Sequence, residues 1–344
     1  MNHCSRILLF FGLIALVPAA AQESLGYLEL KGTYRFEIKP DPERIADGTG
    51  IQLWWSAPKE WGTQRMVRIE SIAPLPDSTY IDPQNGNAIY YWFFEGALKP
   101  AFEARFAWRS LSFLNPVRLN AIEPIDEKDE ILKGSLAEDS VIALTPAIRE
   151  LAERLGAAES NPLMRASVFF HWVVKNLVPP EGMGRTDPRY LLPDPDQQAL
   201  SKVHIIGAPE YSFLFCALCR AGGIPARPVA GFLLPPGESL PHVWAEFYLS
   251  PFGWIPADPW LAHEAPDKQR FEIFPQDPDF YFANLDPFRL VLSKGSAVGL
   301  RPRPASGDDG IWIRQGRASY FLTGVWNTRL APRNEFVLAV EATQ

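Results

Sequence analysis

His242-Val243-Trp244-Ala245-Glu246-Phe247-Tyr248-Leu249 alternates in period two, and Gly253-Trp254-Ile255-Pro256-Ala257-Asp258-Pro259 follows after a short gap. The alternation predicts a strand with His242, Trp244, Glu246 and Tyr248 on one face. A turn over Ser250–Gly253 would lay the two segments side by side. The ends of those strands then bring the imidazole of His242 against the carboxylate of Asp258. A carboxylate in that place fixes the tautomer of a histidine and stabilises its imidazolium form. On spacing alone, a functional histidine and an ordinary surface histidine weigh about the same.

Outward from this stretch the pattern divides the chain. Upstream, Ala221 and Gly222-Gly223 close a helix that begins near Ala208-Pro209 and carries Tyr211, Leu214, Phe215 and Leu218 on its apolar side. A Pro-rich loop runs from Val178 to about Gln197. Before it, two helices announce themselves by their caps. Thr145-Pro146 opens a stripe of Ile148, Leu151, Ala152 and Leu155, and Asn161-Pro162 opens one of Ala166, Phe169, Phe170, Val173, Val174 and Leu177. From about residue 27 to 115 the period is two, as in Tyr34, Phe36 and Ile38, with turn residues such as Asp82-Pro83-Gln84-Asn85-Gly86-Asn87 between runs. That region predicts an antiparallel β-sandwich. Further strand-like pieces lie at Ser319–Trp326 and Glu335–Glu341.

Of the 344 residues 47% are apolar, enough for a large core, and the net charge of −7 argues against a nucleic-acid partner. The 33 prolines are about twice the usual share of ~5% and disfavour a helical bundle. Residues 1–21 read as a signal peptide: Arg6, an apolar run from Ile7 to Val17, then Ala19-Ala20-Ala21. That run is short against the ~20 residues of a membrane span, and Pro18 ends it. The mature chain is expected to start at Gln22 and to be periplasmic or secreted, without a transmembrane anchor. The expected domains are a β-sandwich over 22–140, an α+β core over 141–300, and strands of 301–344 that pack on one of the two.

No phosphate-binding glycine loop and no metal-binding His or Cys motif occurs in the sequence, so no cofactor and no metal are expected. No acidic loop with calcium-ligand spacing is present either. Four histidines follow the signal. His171 sits in an amphipathic helix and reads as structural, while His204 and His263 lie in loops without evident partners. Cys216 and Cys219 cannot make a disulfide framework.

The same residues resemble the transglutaminase-like superfamily. The resemblance rests on Gly223-Ile224-Pro225-Ala226-Arg227-Pro228-Val229-Ala230-Gly231 after Cys219-Arg220-Ala221, on His242–Leu249, and on Gly253-Trp254 with Asp258-Pro259. His171-Trp172-Val173-Val174-Lys175-Asn176 and Tyr281-Phe282-Ala283-Asn284-Leu285-Asp286 resemble flanking segments of that domain. The likeness covers about 140–300 and implies a papain-like α+β fold in which a central helix packs on an antiparallel sheet. It also implies a Cys-His-Asp triad, with His242 as the base and Asp258 as its orienter. The nucleophile's place, fifteen residues before Gly223, is Ala208.

A cysteine at a helix N-terminus is held as thiolate by the helix dipole and a nearby imidazolium. Ala208 offers no such atom, and covalent acyl transfer needs one. Cys216 lies about 12 Å further along the helix, and Cys219 about 16 Å. Three readings follow. The first is a catalytically silent exported protein that keeps a cleft for a peptide or another exported protein, with Trp244 and Glu246 as candidate lining residues. The second is an acyl-transfer enzyme with a non-standard nucleophile such as Ser212 or Ser201. The third is a structural β-domain scaffold. Arg227 is expected to close an internal ion pair.

Overall fold

The computed structural model describes residues 27–39, 51–94, 101–125, 129–139, 141–177, 207–264, 272–296 and 298–303, with the backbone of 311–315, 323–327 and 335–336. The proposed signal peptide, the loop of 178–197, Ser201 and His204 lie outside the described residues.

Six strands open the fold: β1 (Tyr27–Lys39), β2 (Ile51–Ala57), β3 (Gln64–Ala73), β4 (Ser78–Ile81), β5 (Ala88–Phe94) and β6 (Ala101–Leu111). They form two antiparallel sheets, β1-β6-β3 and β2-β5-β4. Alternation decides which side chains face inward. Tyr34 and Phe36 of β1 and Phe102 and Phe106 of β6 are buried, as are Trp55 of β2 and Trp92 of β5. Across the gap between the sheets Tyr34 meets Trp55 at 5.1 Å, and Trp92 stacks on Phe102 at 4.5 Å. Aromatic pairs of this kind add roughly 0.5–1.5 kcal/mol beyond the area they bury.

Three helices follow, α1 (Glu130–Leu136), α2 (Pro146–Gly156) and α3 (Pro162–Asn176), and each is capped by the residue before it. Asp129 accepts from Ile131 and Leu132, Thr145 from Ile148, and Asn161 from Leu163 and Met164. The caps satisfy N–H groups that the first helical turn leaves open. α1 falls in a polar, acidic stretch, Glu123–Ser140, to which the sequence pattern assigns no element. Only Leu132 and Ser135 are buried there, so its apolar stripe is too thin to announce a helix.

α4 (Ala208–Ala221) is buried along most of its length and packs between the helices and a third antiparallel sheet. That sheet has the order β10-β7-β8-β9, from β7 (Ala226–Leu233), β8 (Leu240–Leu249), β9 (Gly253–Ala257) and β10 (Arg289–Lys294). A short α5 (Pro259–Glu264) follows β9. The fold is thus mixed α+β with antiparallel sheets, as the sequence predicts. Gly231 of β7 is required by its neighbour, because a Cβ there would stand 1.8 Å from the carbonyl oxygen of Leu290. Near the C-terminus, β11 (Ile311–Gln315) pairs with β12 (Thr323–Asn327), and β12 pairs with β2. β13 (Glu335–Phe336) pairs with β1, so these strands extend the two N-terminal sheets.

β10 pairs with β7 on one side only. On its other side, side chains of the N-terminal sheets take the place of a strand. Gln64 accepts from Val291 N–H at 2.8 Å and donates to Val291 O at 3.0 Å. Asn87 repeats the pattern on Lys294, accepting at 2.8 Å and donating at 2.8 Å. Ser56 donates to Leu292 O, and both Trp108 and Ser110 donate to Arg289 O. A carboxamide presents one donor and one acceptor in a plane, as a peptide unit does, so two amides can saturate an edge strand.

Gln64→Leu keeps most of the volume and strands the N–H and C=O of Val291 in a buried place. The expected loss is roughly 2–4 kcal/mol, read as a lower urea midpoint at unchanged slope.

Candidate functional site

The pairing of β8 leaves a notch. β9 lies beside residues 245–249 of β8 and stops, so the first residues of β8 have no strand on that side. α4 fills the gap, because Ser212 Oγ donates to Val243 O at 2.9 Å. Further along, Phe215 of α4 meets Phe247 of β8 at 5.9 Å, so helix and strand run the same way. Ala208 lies one helical turn before Ser212, on the same face of α4.

At this notch His242 Nε2 is 2.7 Å from Asp258 Oδ2. Both side chains are buried. Asp258 has two further partners, Arg289 Nη1 at 2.7 Å and Leu261 N–H at 3.1 Å. Burial alone would raise its pKa, but the positive charge of His242 and of Arg289 outweighs it and holds the carboxyl down at about 2. An ionised carboxylate only accepts, so His242 Nε2 carries the proton of this hydrogen bond. Nδ1 is the ring nitrogen turned away from Asp258, and no described residue hydrogen-bonds to it. The ring stacks on Trp244 at 6.0 Å and meets Trp260 at 5.3 Å.

Arg289 is the residue that sequence reading missed. Its Nε and Nη2 both reach Asp286 Oδ2, at 3.0 and 2.7 Å, while Nη1 holds Asp258. Its guanidinium also lies 5.1 Å from the ring centre of Trp244. Burial would lower its pKa, yet the two carboxylates raise it, so the group stays charged. The sequence held one signal for it, an Asp and an Arg three apart in Asp286-Pro287-Phe288-Arg289.

The other candidates separate clearly. Trp244 is buried between His242 and Arg289. Glu246 is also buried, with one oxygen held by Arg227 at 3.0 and 3.1 Å and the other by Lys294 at 2.6 Å. Arg227 thus has the internal partner its position suggests. Burial lowers the Lys294 pKa to about 8 despite Glu246. Cys216 and Cys219 are buried within α4, and burial pushes the Cys216 thiol up to about 12 and the Cys219 thiol well above its ordinary value. His171 stands apart on α3 with Asp279 at 3.0 Å, and His263 Nδ1 donates to Val174 O. Among the described residues no group of His, Cys, Asp and Glu has the geometry to hold a metal.

Residues 149–259 match the family model of the transglutaminase-like superfamily. Over these residues the chain is similar to that superfamily. The matched segment includes Ala208, His242 and Asp258 and ends before Asp286 and Arg289. An uncharacterized protein of Haemophilus influenzae is 29% identical over 135 residues, which are 32% of this chain. The match spans about a third of that relative's length, 35%. Among solved structures, "a Putative Cysteine Protease from Cytophaga hutchinsonii" superposes with a TM-score of 0.53 at 11% identity, over 92% of each chain. That likeness concerns the fold alone. The periplasmic domain of TgpA from Pseudomonas aeruginosa gives a TM-score of 0.36 at 19% identity, over 71% of this chain and 93% of that one.

Two outcomes are expected of the transglutaminase-like core. Because the folded pKa of Asp258 lies below its unfolded value of about 3.9, the stability it contributes is complete above pH ~4 and is lost as pH falls toward 2. The loss is on the order of 2 kcal/mol, and Asp258→Asn should flatten this acid limb in urea titrations at successive pH values. Arg289→Met leaves two buried carboxylates without their shared cation and should cost about 3–5 kcal/mol, read by the same titration at pH 7.

Proposed function

We propose that this is an exported, catalytically silent transglutaminase-like protein whose core keeps a peptide- or protein-binding cleft around His242 and Asp258. In this reading residues 1–21 are a signal peptide, 22–140 a β-sandwich domain and 141–300 the core. No helix among the described residues is long and apolar enough to cross a membrane.

The observation that carries the reading is a mismatch. An acid–base pair is fully assembled, with His242 oriented by Asp258 and Asp258 held by Arg289, while the adjacent helix begins with a methyl group at Ala208. Without a nucleophile there, what remains is hydrogen-bonding capacity in a buried notch. Neither cysteine supports a substitute, since both thiols are buried and disfavoured as thiolates. Ser212 is equally poor as a nucleophile, being buried with its hydroxyl donated to Val243 O. These facts weigh against the enzyme reading. The long series of partners on Arg289 and Asp258 weighs against a core kept only as a scaffold.

Ala208→Cys tests the reading. Iodoacetamide should modify the new thiol rapidly even below pH ~7, and His242→Ala in that background should slow the reaction at least tenfold. The unsubstituted chain should stay unmodified over the same period. An alkylation profile with an ordinary midpoint of about 8.5 would mean that the notch no longer supports the chemistry of its family.

A further inference from the structure

A cavity of about 310 Å³ opens on the outer face of the sheet β1-β6-β3. The register of the strands explains it. Lys31 of β1, Ala107 of β6 and Arg68 of β3 are paired directly across from one another and form one row. Their neighbours Leu30 and Trp108 are buried on the inner face, so alternation turns this row outward. The short side chain of Ala107 is the floor, and the long ones of Lys31 and Arg68 are the walls, standing on strands about 10 Å apart. The next outward row is Glu29, Arg109 and Arg65, of which Glu29 and Arg109 also line the cavity.

A β-bulge forms the rim. Between Arg65 and Arg68, Met66 and Val67 of β3 together oppose Trp108 alone. Met66 has a φ of 52°, in the left-handed region that residues with a Cβ seldom adopt, and its N–H donates to Glu60 Oε1 at 2.8 Å. The bulge re-aims one side chain. Val67 packs against the core, while Met66 stays 56% exposed at the edge of the cavity. That backbone conformation is costly and sets an apolar side chain in water, so packing of the core does not account for it.

The charges around the hollow are unbalanced. Arg109 is compensated, with Nη2 on Glu29 Oε1 and its guanidinium 4.2 Å from the ring centre of Tyr27. The side chains of Lys31, Arg65 and Arg68 have no ion-pair or hydrogen-bond partner among the described residues. Arg65 stands directly across from Arg109, and like charges so placed destabilise a sheet. Further along the same face the cations are matched, since Arg35 and Arg105 both hold Glu103. On a chain of net charge −7, an excess of cations thus gathers around one hollow.

We infer that this cavity binds a phosphate group, free or carried on a small organic molecule, between Lys31 and Arg68 and with Met66 against any stem it bears. Two uncompensated cations on either side of one floor are matched by two negative charges. A phosphate dianion presents oxygens toward both, whereas a carboxylate brings one charge on one edge. The volume lies at the lower end of the range for small-molecule sites, about 300–1,000 Å³. The site uses no residue of the transglutaminase-like core, so it stands or falls apart from the silent-cleft reading.

Calorimetric titration of the full chain at pH 7.5 in low salt tests this, with phenyl phosphate as the probe and benzenesulfonate as a singly charged analogue of similar shape. Phenyl phosphate should bind at a single site, at least tenfold more tightly than benzenesulfonate. Arg68→Gln and Lys31→Gln should each weaken it at least fivefold, while Lys175→Gln, which removes an exposed cation of α3, should leave it unchanged. Ala107→Leu fills the floor without altering charge and should abolish binding. Unchanged urea midpoints show that these variants keep the fold. Displacement of the probe by equimolar inorganic phosphate assigns the site to the free ion, and displacement only by a large excess assigns it to an ester. Equal affinity for the phosphate and the sulfonate overturns the inference. So does binding that survives Arg68→Gln and Ala107→Leu, or no saturable binding up to about 10 mM.

Discussion

One guanidinium organises the site. Arg289 projects from β10 and is buried with two carboxylates, Asp258 from the end of β9 and Asp286 from the connection leading into β10. Each ion would be expensive to bury alone, and together they are tolerated because the guanidinium is hydrogen-bonded to both carboxylates. The arrangement keeps Asp258 ionised, and an ionised Asp258 in turn dictates which nitrogen of His242 carries the proton. The orientation of the candidate site thus depends on where β10 sits. β10 is positioned in part by Gln64, Asn87, Ser56, Trp108 and Ser110 of the N-terminal sheets. The N-terminal sheets and the helical core also share one continuous interior, in which Tyr34 of β1 meets Phe232 of β7 edge-on.

Much of this was legible in the sequence because it is written in local periodicity. The alternation of His242–Leu249, the capped helices at Thr145 and Asn161, and the glycines after Ala221 each announce their element within a few residues. The pairing of His242 with Asp258 also follows from a short turn between adjacent strands, which fixes register over a small separation in sequence. Arg289 and Lys294 were not legible for the opposite reason. A strand reading Arg-Leu-Val-Leu-Ser-Lys looks half exposed, yet all six residues are buried, because the cations are consumed by Asp258, Asp286 and Glu246. Partners separated by 31 and 48 positions leave no local trace. α1 was missed on other grounds, its short span burying too little to show a period.

Glu246 illustrates how a face shared with a functional residue misleads. It lies on the same side of β8 as His242, which makes it a natural candidate to meet a ligand. Four residues along the strand, however, the notch has closed over. β9 now covers the edge, and Arg227 and Lys294 take both oxygens of Glu246. Trp244 stands between these two regimes, with His242 on one side and the Arg289 cation near its ring. Position along the strand, as well as face, therefore decides what is available to a partner.

The amide seal on β10 has a consequence for how this fold can meet other chains. A bare outer strand recruits any extended segment that offers N–H and C=O groups at the right spacing, whether a guest peptide or a neighbour's strand. Gln64 and Asn87 deny that route without adding a strand of their own, so they impose no register and leave no new margin exposed. The seal is also discontinuous, being made from single side chains far apart in sequence. A core separated from its N-terminal sheets would therefore lose its guard all at once and expose a sticky border. For this architecture, the sheets in front are what cover the outer edge of β10.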